Sequence, residues 1–145
     1  MTLENIKMEN SMNIDISGYL ILILDKNKAL VKLEHVKEIL GMREYTRVPG
    51  LPEYMLGVTN VRGQVVPICD LRMRFSLNAD MNEKTCIVIV ETMNGDLGIV
   101  VDEIQGIKRD LDMSKIKVVE NKDISFFKGY YPEKDEVIYV LDFLE

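Results

Sequence analysis

The residue types that run most reaction chemistry are scarce in this chain, which has one histidine, His35, and two cysteines, Cys69 and Cys86. A histidine acting as general base needs a nucleophile within hydrogen-bond reach and a third group to orient it. Nothing around His35 marks such partners, so it reads as a partly exposed histidine beside the start of a helix. Structural zinc takes about four Cys or His ligands at close spacing. Cys69, Cys86 and His35 are too few and too scattered for that, and no metal is expected. Both cysteines lie in apolar, strand-like runs without Cys-x-x-Cys spacing. They read as small buried hydrophobes kept reduced, which points to the cytoplasm. Asp102 and Glu103 suggest an acid-base pair. Neighbours on a strand point to opposite faces, however, so the two cannot flank one bond, and a solvated surface pair is the expectation. Neither a P-loop nor a Gly-x-Gly-x-x-Gly turn occurs, so nucleotide cofactors have no cradle and no cofactor is expected. Phe126-Phe127 and Tyr130-Tyr131 surround Lys128-Gly129 and read as core plugs in a loop. What such a chain can still offer is a binding surface.

A chain of 145 residues, 47% apolar and 29% charged, has the size and composition of one folding unit with a real core. A formal charge of −6 without a local Lys/Arg cluster repels polyanions, so nucleic acid is not expected as a partner. The longest apolar run, Tyr19 to Leu24, falls well short of the roughly 20 residues a spanning helix needs, so no membrane insertion is expected. Residues 1–17 lack the basic, apolar and small-residue regions of a secretion signal. They read as a flexible tail ahead of a domain at 18–145.

The dominant pattern is a series of short β-branched runs separated by Gly, Pro, Asn and Asp. Tyr19 to Leu24 and Ala29 to Leu33 flank a polar turn and read as a hairpin. From Glu34, Val36, Ile39 and Leu40 fall at helical spacing and Gly41 follows as a stop, which predicts one short helix. Thr46 to Val48 reads as extended, and Pro49 to Pro52 as a loop. Leu56 to Val61 and Val65 to Cys69 flank Arg62-Gly63-Gln64, a hairpin whose Gly63 can take positive φ. Asp70 is placed to cap a turn at Leu71 to Phe75. Thr85 to Val90 and Leu97 to Ile104 flank Asn94-Gly95, the strongest hairpin signal in the chain. Val137 to Leu141 closes as a strand, and Asp142 to Glu145 reads as the start of a stunted helix. Roughly ten strands at this spacing suggest barrels or a sandwich.

The run Gly57-Val58-Thr59-Asn60-Val61-Arg62-Gly63, continued by Gln64-Val65-Val66-Pro67-Ile68-Cys69-Asp70-Leu71-Arg72, resembles the central signature of the CheW-like domain family. A second block of that family is matched by Ile87 to Glu91 and Leu97 to Ile104, and Arg47-Val48-Pro49 and Phe127-Lys128-Gly129 follow its order. The resemblance covers about Tyr19 to Leu144; the tail is longer than the family core requires, and 120–125 is short. It implies a mainly β fold of two small five-stranded SH3-like barrels packed side by side with a groove between them, plus one or two short helices. It also implies no catalysis. The implied partners are the cytoplasmic hairpin tip of a chemoreceptor, bound in the groove, and the regulatory domain of the histidine kinase CheA. By the same match Arg62, Val36, Glu38, Val65 and Cys86 lie at or near the receptor groove, while Gly57 and Gly63 support it structurally. From the residues alone, Arg62 is equally an exposed turn cation or half of a salt bridge, and Val36 and Ile39 are a core stripe. The kinase surface stays unassigned. No coiled-coil or extended apolar stripe advertises a homodimer, so the isolated chain is expected to be a monomer. The rival functions are a related scaffold such as a CheV-like protein, a small-molecule-binding β-barrel and, last, a nucleic-acid-binding barrel.

Overall fold

The computed structural model describes residues 17–144. The expected tail, apart from Ser17, lies outside the described residues, as does Glu145. Eleven strands follow in order: β1 (Tyr19–Leu24), β2 (Asn27–Lys32), β3 (Val36–Gly41), β4 (Met55–Val61), β5 (Gln64–Asp70), β6 (Cys86–Thr92), β7 (Gly95–Val101), β8 (Glu103–Lys108), β9 (Lys117–Val118), β10 (Phe127–Glu133) and β11 (Glu136–Leu141). One α-helical turn, α1 (Leu71–Arg74), and two 3-10 turns, at Leu33–His35 and Met113–Lys115, complete the described elements.

The strands form a five-stranded sheet in the order β3-β6-β7-β5-β4 and a six-stranded sheet in the order β8-β1-β2-β11-β10-β9. Each sheet rolls up until its margins meet. Glu38 on edge strand β3 pairs with Arg62, in the turn that follows the opposite edge strand β4. Lys108 on edge strand β8 likewise pairs with Glu133 on β10, near the other margin. The expected pair of barrels is therefore present, here called barrel one (β3 to β7) and barrel two (β8 to β11 with β1 and β2). The sixth strand of barrel two, β9, is only two residues long, and its counterpart in barrel one is a single bridge between Thr46 and Val58.

The two barrels repeat one plan. In each, an antiparallel hairpin pairs in parallel with a second hairpin, as β5 does with β7 and β11 with β2. In each, the first hairpin has a two-residue turn, Arg62-Gly63 or Lys134-Asp135. In each, a bulge near its start puts a glycine, Gly57 or Gly129, at φ 153° or 146°. A Cβ on either would stand 2.1 Å from a backbone carbonyl, that of Thr46 or of Lys117. The repeat is permuted, because barrel one uses consecutive strands while barrel two takes its central hairpin, β1–β2, from the other end of the chain.

Central hairpins are buried on both faces, which explains their unbroken apolar runs. Leu20, Leu22 and Leu24 of β1 and Val88 and Val90 of β6 face a core between the barrels, which also holds Leu71, Leu141 and Phe143. Ile87 and Ile89 fill barrel one with Leu56, Val66 and Ile68, while Leu30, Tyr131, Ile138 and Val140 fill barrel two. Three of the four expected core plugs are found, Phe126 and Phe127 in the core between the barrels and Tyr131 in barrel two, while Tyr130 is half-buried; Phe75 meets Phe126, Phe127 and Tyr139 at centroid distances of 5.8, 5.9 and 5.5 Å. The four sit on strand β10 and its approach, not in the anticipated loop.

Three expectations need correction. The short helix from Glu34 is strand β3, preceded by the 3-10 turn Leu33–His35. A bulge between Val36 and Glu38 shifts the alternation by one residue, and Ile39 and Leu40 pack on different cores, so a strand mimics helical spacing. The strand from Leu97 to Ile104 breaks at Asp102, where β7 leaves barrel one and β8 enters barrel two. Residues 142–144 form no helix; Phe143 is buried and stacks on Phe126 at 4.6 Å.

Candidate functional site

The turn at the β4–β5 tip holds Arg62 and Gly63 at φ 53° and 85°. Asn60 stabilises it by accepting the Gly63 N–H through Oδ1 at 2.9 Å. Arg62 thereby projects into solvent, 74% exposed, with Nη2 donating to Glu38 Oε1 at 2.7 Å. Both residue-level readings of Arg62 are thus realised together, since it is an exposed turn cation and also one half of a salt bridge. Val65, one residue into β5, is 70% exposed. It lines an open cleft of about 620 Å³ with Tyr45, Thr46, Val58 and Asn60.

The remaining residues are not on that surface. Val36 is fully buried in the core between the barrels. Cys86 is half-buried at the far end of the β3–β6 pair, opposite Gly41, whereas Val36 lies opposite Val90. The structure thus brings together Arg62 and Glu38 with Val65 on the neighbouring strand, and leaves Val36 beneath them and Cys86 apart. Gly57 lies in β4 against the 46–47 backbone, and Gly63 has open space where a Cβ would stand.

The two thiols and the imidazole are largely covered. Burial, and secondarily Asp70, pushes the Cys69 thiol up to about 12; burial, and secondarily Glu103, pushes Cys86 up to about 11. Neither is a thiolate at neutral pH. His35 ends a 3-10 turn with its imidazole 13% exposed, and its Nδ1, 3.9 Å from Asp142 Oδ1, makes no hydrogen bond. No group of three or more His, Cys, Asp or Glu among the described residues is arranged to hold a metal ion.

A polar cluster that the sequence did not reveal lies between the barrels. Arg72 on α1 is fully buried. Its Nε and Nη2 donate to the two carboxylate oxygens of Asp70 at 3.1 and 3.0 Å. Its Nη1 donates to Asp102 Oδ1 and to the Asp80 carbonyl, both at 2.8 Å. Burial disfavours the guanidinium charge, but the hydrogen bonds and charges of Asp70 and Asp102 outweigh it, so the pKa of Arg72 stands above its ordinary value. Asp70 also caps α1, accepting the Arg72 and Met73 N–H groups, as its position suggested. Asp102 is not the expected solvated surface residue, because its second oxygen accepts the Asp25 N–H and its own N–H donates to the Ile23 carbonyl. The available signal was an arginine lodged in an apolar run two residues after an aspartate. No described helix is long and apolar enough to cross a membrane.

A family model described as the CheW-like domain matches residues 18–145. The chemotaxis protein CheW of Klebsiella aerogenes is 33% identical over 90 residues, covering 61% of this chain and 54% of that protein. The CheW of Bacillus subtilis is 28% identical over 120 residues, 72% of this chain and 77% of its own length. That of Helicobacter pylori is 27% identical over 134 residues, 89% and 80% respectively. The matched stretch thus spans about half of the Klebsiella protein and more of the other two. Among solved structures, the scaffolding protein TtCheW from Thermoanaerobacter tengcongensis has a TM-score of 0.77 at 23% identity over 90% of this chain and 91% of that one, a likeness of fold.

Proposed function

Since this chain belongs to the CheW-like domain family, we propose that it is a non-catalytic adaptor of bacterial chemotaxis signalling, coupling chemoreceptors to the histidine kinase CheA in a cytoplasmic array. The observation that carries this reading is the presentation of Arg62. An exposed cation is fixed on a rigid turn by a carboxylate from the opposite margin of the sheet, beside the exposed Val65. Small transient interfaces work in this way, with a few apolar anchors and one oriented charge giving specificity at modest affinity.

In this reading Arg62, Glu38 and Val65 meet the receptor's hairpin tip directly. Val36 and Cys86 support the groove from below and from its far end, and Gly57 and Gly63 hold the strand bend and the turn that frame it. The surface that meets the kinase stays unassigned. Thiols kept protonated by burial and a near-covered histidine fit a chain whose chemistry is recognition.

The test is a pull-down with a receptor cytoplasmic hairpin fragment and a CheA regulatory domain, using wild type, Arg62→Ala and Arg62→Asp, each first shown to be folded. Wild type retains both partners and the Arg62 variants lose the receptor fragment alone. Failure of wild type to bind either partner, drawn from one matched signalling system, sinks the adaptor reading.

A further inference from the structure

The two barrels touch mainly through an apolar core, and apolar contact has little directionality. Directional polar contacts can hold an angle where apolar packing does not; Lys84 with Glu103 and Arg74 with the Asp123 carbonyl also cross between the barrels but are exposed, and the shielded crossing is the network around Arg72. That connection runs without a break. Asp70 ends β5 of barrel one and takes two donors of the Arg72 guanidinium. A third donor goes to Asp102, the single residue between β7 and β8 where the chain crosses from barrel one to barrel two. Asp102 in turn accepts from Asp25, in the β1–β2 turn, and donates to Ile23 of β1, both in barrel two. The Asp80 carbonyl occupies Arg72 as well and ties in the loop between α1 and β6.

A guanidinium is planar with donors in a fixed fork, so carboxylates bound to it are fixed in angle as well as distance. Here the fork is shielded from water, where charge-assisted bonds are strongest, and removing one partner leaves a buried charge uncompensated. We propose that Arg72 is a positioning residue that sets the angle between the barrels, with Asp102 as its arm into barrel two; in the adaptor reading, where the groove lies between the barrels, that angle also shapes the groove. Only the binding consequence rests on the adaptor reading; the angle itself does not.

The experiment places nitroxide labels at Met93→Cys, in the exposed β6–β7 turn of barrel one, and Val118→Cys, on the exposed β9 of barrel two. Cys69 and Cys86 stay protonated at neutral pH and leave the introduced thiols to react. Electron–electron distance distributions are compared for the labelled protein with Asp102→Asn and with Arg72→Lys, which keeps the charge but not the fork. Both variants are checked for the β signature by circular dichroism. If Arg72→Lys fails to fold, Asp102→Asn still decides, because it leaves the Asp70–Arg72 pair intact.

The expected result is a shifted or broadened distribution in folded variants. Receptor-fragment affinity, measured below the unfolding transition in the unlabelled variants, falls by roughly 2- to 30-fold, the size of coupling such networks carry. A lowered melting temperature with an unchanged distribution overturns the proposal and makes Arg72 a stabilising residue only. If wild type binds no receptor fragment, the adaptor reading falls, and the distance distributions still decide the role of Arg72.

Discussion

Arg72 and Asp102 show why side-chain roles were the hardest part of this molecule to foresee. Strand alternation carried through Asp102 predicts a solvent-facing carboxylate; the strand instead ends there, and the residue turns inward to a guanidinium. Arg72 stood in plain view after Asp70, but burying it required a carboxylate 30 residues downstream that only the fold brings near. Cysteines are the opposite case. Their apolar flanks foretold burial, and Cys69 is buried and Cys86 half-buried. Their raised pKa values have a measurable consequence. A thiol whose folded pKa exceeds its unfolded value of 9.0 contributes stability that is complete below that pH and is lost as pH rises through about 11 for Cys86 and about 12 for Cys69. Between about pH 8 and about pH 10.5, urea unfolding of wild type is expected to lose more stability than that of Cys69→Ala/Cys86→Ala, by up to about 1.4 kcal/mol per thiol per pH unit above pH 9. Equal losses in the two proteins would show that the thiols are not held protonated by the fold.

Elements were legible wherever local chemistry fixed them. The Arg62-Gly63 hairpin, the β6–β7 hairpin, whose turn is Met93-Asn94 with Gly95 at positive φ opening β7, the Asp70 cap and the closing strand Glu136–Leu141 all follow from turn residues and alternation. Strand β3 was misread because a bulge and a two-sided environment imitate a helical stripe. Strand β10 is masked in the sequence because its adjacent aromatic pairs break the alternation of a strand, and Phe127 and Tyr131 are core plugs as well as strand residues. The paired glycines of the two barrels give a test at this scale. Gly57→Ala and Gly129→Ala each drive a methyl into a neighbouring carbonyl at a φ that side chains rarely adopt, and each is expected to cost roughly 3 kcal/mol or more. Gly63→Ala meets open space and bears only the left-handed backbone, roughly 1–2 kcal/mol. Urea melts of the three variants should fall in that order, and a Gly57→Ala protein as stable as Gly63→Ala would contradict the close approach.

For the whole molecule, sequence pattern gave the mainly β class and the family resemblance gave two barrels, while composition and periodicity could not give the order of strands in space. That order depends on pairs such as Lys28 with Ile138, more than a hundred residues apart, whose partnership leaves no local trace. The same long-range pairing predicts slow folding, on the order of milliseconds to seconds. In pulsed hydrogen exchange during refolding, amides of β5 and β7 should gain protection before those pairing β2 with β11. Earlier protection of β2 and β11 would rule out that sequence of events.

The permuted repeat has one further consequence, felt while the chain is being made. Barrel one has all its strands once Val101 has been synthesised, and it can begin to close behind the ribosome. The β1–β2 hairpin precedes the other described strands; β8 can pair with β1 once Lys108 is made, but the β2 edge has no partner until β11 emerges, a wait of several seconds at about 5–20 residues per second. Through that interval the edge of β2 and the face carrying Leu30, which packs on Ile138 and Val140 of β11, stay uncovered. The stretch most in need of a holding chaperone is therefore the strand pair that is translated before both barrels are complete.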